Sequence, residues 1–173
     1  MSRVLVTGAA GFIGYHVADR LAARGDRVIG IDDFNAYYDP RLKRARVADL
    51  AARHGDRVTM LPVDFADDRA LDAALAGQAF DRIVHLGAQA GVRHSIEHPH
   101  AYARANLVGH LTMLELARTR GCAHMVYASS SSVYGNAESY PTPETARPQP
   151  VSPRWARSRH AGPRWGCCRP CWR

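Results

Sequence analysis

Three glycines set three residues apart, directly after a short apolar run, constrain this chain more than any other feature. Val4-Leu5-Val6-Thr7 is apolar and β-branched, and Gly8-Ala9-Ala10-Gly11-Phe12-Ile13-Gly14 follows it. Phe12, Ile13, Val17 and Leu21 then fall at helical spacing on one expected face, and Gly25 closes that helix. Each glycine has a physical reason. Gly8 permits a tight turn, Gly11 lets backbone N–H groups approach a pyrophosphate, and Gly14 allows close packing of helix on strand. The positive end of the helix dipole then faces the anion. Turns and close packing alone can demand glycine, but strand, turn and helix in this order point to dinucleotide binding.

The rest of the chain repeats the alternation. Strands are expected at residues 3–7, 27–32, 57–63, 82–86 and 124–128, and a substantial helix at residues 101–120, with Leu107, Leu111, Leu114 and Leu116 as its apolar positions and Gly121 as its stop. The near-continuous apolar character of the strands predicts burial on both faces. Right-handed crossovers then give an α/β fold, a Rossmann-like doubly wound parallel sheet in the order 3-2-1-4-5, with ligand at the carboxyl ends of the strands near the switch between strands 1 and 4. Pro141, Pro143, Pro148 and Pro150 mark an irregular stretch after Gly135.

A net charge of +7 suggests a nucleic-acid partner until its distribution is examined. Arg154, Arg157, Arg159, Arg164, Arg169 and Arg173 lie beyond residue 152 with no acid among them, so seven minus six leaves +1 for the remainder and no nucleic-acid partner is expected. Cys167, Cys168 and Cys171 are in the same tail, leaving Cys122 as the one cysteine of the body, read as a reduced thiol. No apolar run reaches the ~18 residues of a membrane span, and Met1-Ser2-Arg3 leads straight into a strand; no membrane partner and a cytoplasmic location are expected.

Asp32 and Asp33 close the second strand about 20 residues beyond the glycines, where a carboxylate accepts hydrogen bonds from an adenosine ribose and repels a 2′-phosphate, which favours NAD over NADP. Asp64-Phe65, the segment His85-Leu86-Gly87-Ala88-Gln89-Ala90-Gly91-Val92-Arg93 and the segment Ser129-Ser130-Ser131-Ser132-Val133-Tyr134-Gly135 complete a pattern that resembles the extended short-chain dehydrogenase/reductase superfamily of NAD-dependent epimerases and dehydratases. Asp33-Phe34-Asn35-Ala36-Tyr37-Tyr38-Asp39-Pro40 and the Ala-Gly-Val-Arg segment make the likeness closest to the UDP-glucuronate 4-epimerases, over residues 3–152.

That resemblance implies a set of NAD contacts: Gly8, Gly11, Phe12, Ile13 and Gly14 at the pyrophosphate, Asp32 and Asn35 at the ribose, Asp64 and Phe65 at the adenine. Leu86, Ala88, Gln89 and Ser129 fall to the nicotinamide side, with Asn106 reaching it from the long helix. Ser130 matches the family's catalytic Ser or Thr, and Arg93 could meet a uronate carboxylate or phosphate or be a surface charge. His94, His98 and His100 are read as lacking helical recurrence, and no metal site is expected.

The family's reaction oxidises the sugar at C4 and re-reduces a 4-keto sugar, with UDP-glucuronate and UDP-galacturonate as the implied nucleotide sugars, and it uses a tyrosine and a lysine four residues on. Here positions 154 and 158 are Arg154 and Ser158, and the sole lysine is Lys43. The chain is therefore read as an incomplete NAD-binding Rossmann domain at residues 1–152, followed by an irregular, mobile tail at 153–173 that a reading-frame change or truncation explains best. On this reading it binds NAD without turnover, and the family's dimer contact is impaired. The alternative is a non-catalytic dinucleotide-binding or partner-binding module. Zinc or RNA binding by the tail is the weaker alternative, since adjacent cysteines suit one ion poorly.

Overall fold

A computed structural model describes residues 1–134, 141–143 and 145–146. The tail at 153–173, and with it the expectation of mobility, lies outside the described residues. The chain divides into two compact units, Met1–Ala128 and Ser129–Arg173.

The first unit is built on five parallel strands, β1 (Arg3–Thr7), β2 (Arg27–Asp32), β3 (Val58–Pro62), β4 (Arg82–His85) and β5 (His124–Tyr127), in the order β3-β2-β1-β4-β5. The expected order is therefore the observed one, with the last three strands each ending one residue early. Central β1 pairs on both sides, Val4 opposite Val28 of β2 and Arg82 of β4. The period of two sorts its side chains: Val4 and Val6 face one layer, Leu5 the other.

On the first face, α1 (Phe12–Ala23) and α2 (Pro40–His54) contribute Ala18, Ala22 and Leu50. On the second, α3 (Asp68–Ala74) contributes Leu71, while Met113 and Leu116 come from α6 (Gly109–Thr119). Alternation at Val4, Leu5 and Val6 thus gives a core on each side of a doubly wound sheet.

Two sequence expectations change in detail. The buried face of α1 is Gly14, Ala18 and Ala22, not Phe12, Ile13, Val17 and Leu21; Phe12 and Ile13 are exposed at the helix start, and Val17 and Leu21 are half-buried. Small residues win because α1 lies so close to the first turn that a Cβ at Gly14 would collide with the Gly8 carbonyl oxygen. The helix expected at residues 101–120 is three pieces: α5 (Pro99–Tyr102), a π-helical turn (Ala103–Val108) and α6 (Gly109–Thr119). Within α6, Gly109, Met113 and Leu116 recur at steps of four and three on the buried face, while Leu111 and Leu114, and Leu107 before them, face outward. Strand β5 also departs from burial on both faces: it is the sheet edge, and Val126 and Tyr127 are about half exposed.

In the second unit, the described residues include a single 3-10 turn, Ser131–Tyr134, closed by a hydrogen bond from Val133 N–H to Ser130 O at 3.1 Å.

Candidate functional site

A cleft of about 840 Å³ opens at the carboxyl ends of β1, β2 and β4, at the switch point between strands 1 and 4. Gly8, Gly11, Phe12, Ile13, Gly14, Asp32, Asn35, Asp64, Phe65, Leu86, Ala88 and Gln89 all line it. Gly8 takes φ +67°, which a side chain would strain, and starts a turn that ends with Gly11 at the N-cap of α1. Gly11 offers no capping side chain and α1 has no acid in its first turn, so its leading N–H groups and dipole are open to an anion.

Asp32 holds the other end. It is 5% exposed; Oδ1 accepts from Phe34 N at 2.9 Å and Lys43 Nζ at 3.0 Å, and Oδ2 from Ala10 N at 3.2 Å. A carboxylate has about four acceptor positions, so one remains at Oδ2 for a hydroxyl. Lys43 also approaches Asp33 at 3.8 Å and sits 5.1 Å from the centre of the Tyr38 ring. Arg46, one turn along α2, donates to Ala10 O at 3.2 Å and Tyr38 Oη at 3.3 Å.

Sequence reasoning missed both cations, although a signal was present. Lys43 and Arg46 precede buried Leu50 by seven and four residues, so all three share the face of α2 that meets the sheet and cleft. Arg104, from the π-helical turn, likewise closes on Asp64 Oδ2 through Nε at 2.9 Å and Nη2 at 2.7 Å, and this bond holds its guanidinium above the ordinary pKa.

A buried polar pair ties β1 to β4 behind the cleft. Thr7 Oγ1 accepts from Leu86 N at 3.1 Å and Gly87 N at 2.9 Å, so its own proton goes to His85 Nδ1 at 2.7 Å. The His85 proton is thereby assigned to Nε2. Burial, and then the neighbouring His110, push the His85 pKa down to about 4, keeping the ring neutral. His85 and Thr7 thus fix where Leu86 and Gly87 leave the sheet.

Asn106 does not line the cleft but acts through one residue that does. Its Oδ1 accepts from Gln89 N at 2.9 Å and its Nδ2 donates to Gln89 O at 3.0 Å. The Gln89 Nε2 group is buried beside the Tyr102 hydroxyl and completes no hydrogen bond of ordinary geometry to any described residue. A bound amide or hydroxyl acceptor would satisfy it. Arg93 is exposed on α4 (Val92–Glu97) and is not part of the cleft wall. Ser129 and Ser130 belong to the second unit.

The histidine reading needs correction. His94 and His98 are four residues apart on one turn, with ring centres 4.4 Å apart, so they do share a helical face. His94 also lines the cleft.

A family model described as GDP-mannose 4,6 dehydratase matches residues 5–160. The chain belongs to that family. Among its relatives, UDP-glucuronate 4-epimerase 1 of Arabidopsis thaliana is 42% identical over 160 residues, covering 92% of this chain and 37% of the relative. A probable UDP-glucuronate 4-epimerase of Rhizobium meliloti is 46% identical over 145 residues, covering 84% and 42%. The chain spans less than half the length of these family relatives.

Solved members carry the same fold. A mutant UDP-glucuronic acid 4-epimerase from Bacillus cereus, in complex with UDP-4-deoxy-4-fluoro-glucuronic acid and NAD, superposes with TM-score 0.69 at 31% identity, over 87% of this chain and 47% of that one. The UDP-glucose 4-epimerase of Thermus thermophilus, solved with NAD, gives TM-score 0.69 at 35% identity, over 89% and 46%. No described helix is long and apolar enough to cross a membrane.

Proposed function

We propose that the chain is the NAD-holding part of a nucleotide-sugar 4-epimerase of the UDP-glucuronate type. The observation that carries this reading is the convergence of twelve of the fourteen residues expected at NAD on one cleft. The residues fit the group: the uncapped start of α1 suits a pyrophosphate, the remaining acceptor of Asp32 suits a ribose hydroxyl, and the buried Gln89 Nε2, without a hydrogen bond of ordinary geometry among the described residues, suits a polar acceptor. Two acids at the ribose end disfavour a 2′-phosphate.

When bound, NAD would accept and return the hydride at the sugar C4. This chain's contribution is positioning: Thr7, His85, Gln89 and Asn106 set the wall after β4. Within these 173 residues the one lysine is engaged with Asp32, and no tyrosine has a lysine four residues on. The chain alone is therefore read as binding NAD without interconverting UDP-glucuronate and UDP-galacturonate. Loss of a proton-transfer group costs about 10²–10⁴-fold on its own.

Calorimetric titration with NAD tests the cofactor assignment. Asp32→Asn is expected to weaken binding, whereas Asp39→Asn, at the exposed N-cap of α2, leaves it unchanged. Equal affinities in the two variants would remove Asp32 from the site.

A further inference from the structure

We propose that His94, Glu97 and His98 form a binding site for a zinc-class divalent ion at the rim of the cleft. Their potential ligand atoms all lie within 4.8 Å of one another. The spacing has a structural cause. His98 N–H donates to His94 O at 2.9 Å, so the chain completes a helical turn between the two histidines and brings positions 94, 97 and 98 onto one side.

The three groups divide the work between order and adaptability. The His94 ring is packed against Tyr37 at 5.0 Å and Tyr102 at 6.0 Å, which restricts its rotation. Glu97 and His98 are exposed and can rotate to meet an ion. Tetrahedral zinc with bonds near 2.1 Å separates its ligands by about 3.4 Å. Closing from 4.8 Å therefore needs a movement of roughly 1.4 Å or less, within reach of a side-chain rotation at the two exposed groups.

The donor set selects the ion. Two imidazoles and one carboxylate suit zinc, cobalt or nickel, whereas magnesium and calcium prefer oxygen throughout. Three protein ligands leave a fourth position for water or another oxygen donor. Because His94 belongs to the cleft wall, an ion here would clamp the turn that follows Gly91 against Tyr37 and stiffen that wall. This assignment is independent of the NAD reading.

The test uses the full chain with Cys167, Cys168 and Cys171 changed to serine, so that tail thiolates do not contribute. After chelator treatment it is titrated with zinc by calorimetry, and with cobalt by visible absorption. One equivalent of each ion is expected to bind, with cobalt showing the intense visible bands of a tetrahedral site and no thiolate charge-transfer band. His98→Ala and Glu97→Gln, both at exposed positions, are each expected to lower zinc affinity more than about tenfold, while His100→Ala leaves it unchanged. Far-ultraviolet circular dichroism identical to the parent's shows that the variants are folded. Absence of binding in the serine background, or equal affinity in the folded His98 and Glu97 variants, overturns the site. NAD titration of the same proteins separates the two readings, since NAD affinity in metal-free buffer is expected to survive both substitutions.

Discussion

Replacing Lys43 by methionine isolates the electrostatics of the cleft floor. Lys43 and Asp32 have side chains only 5% exposed and meet at 3.0 Å. At an effective dielectric constant near 20, that separation corresponds to an attraction of about 5 kcal/mol. Part of this offsets the desolvation of both ions, so the pair's net worth is small, but removing one partner strands the other charge. Asp32 keeps hydrogen bonds from Ala10 N and Phe34 N, which moderates the loss. The expected destabilisation is about 3 kcal/mol, at the low end for a broken buried pair. With a urea dependence of about 2 kcal/mol per molar, the unfolding midpoint falls by about 1.5 M. Arg41→Met is the control: its pair with Asp39 has side chains 87% and 48% exposed, so solvent screens it and its loss is expected to leave the midpoint nearly unchanged. Adding Asp32→Asn to Lys43→Met removes the stranded charge and is expected to restore much of the loss. Midpoints for Lys43→Met and Arg41→Met within 0.3 M of each other, an interval worth about 0.6 kcal/mol, would refute the argument that Lys43 neutralises a buried acid.

Stability is also expected to depend on pH through His85. Its pKa of about 4 lies below the ordinary 6.5, so the unfolded chain binds the extra proton between those values and stability falls as pH drops from 6.5 toward 4, by at most about 3.4 kcal/mol. His85→Gln, which can still accept from Thr7, should flatten this part of the urea-midpoint profile relative to the parent; parallel profiles would contradict the assignment. Leu107, Leu111 and Leu114 form an outward stripe, 71%, 60% and 44% exposed, and are expected to drive self-association. Leu111→Lys should lower the weight-average mass in sedimentation equilibrium, and an unchanged mass would clear the stripe of that role.

What was legible in the sequence follows the range of the physics involved. The glycine turn, the strand runs and the acids ending β2 are local signals, and a parallel α/β pattern leaves few topologies, so both the strand order and the cleft could be anticipated. The face of α1 could not, because close approach to the Gly8 turn favours Gly14, Ala18 and Ala22 over larger side chains that match helical spacing equally well. Nor could the buried face of α6, where Gly109, Met113 and Leu116 pack inward while Leu111 and Leu114, equally apolar, face outward.

The polar contacts show the same limit from the other side. Asp32 was legible because its role depends on its place at the end of a strand; Lys43 was not, because its role depends on α2 crossing back over that strand end. Arg104 meets Asp64 across 40 residues, and His85 meets Thr7 across 78. Such partners are selected by geometry that exists only after the sheet has formed. Yet their consequences are local again: with Lys43 Nζ and Phe34 N both at Oδ1 of Asp32, the acceptor position left over is confined to Oδ2. On the proposed NAD reading, specificity at the cleft is set by a strand-end acid that the sequence displays and by a helix-borne cation that decides which of its lone pairs remains.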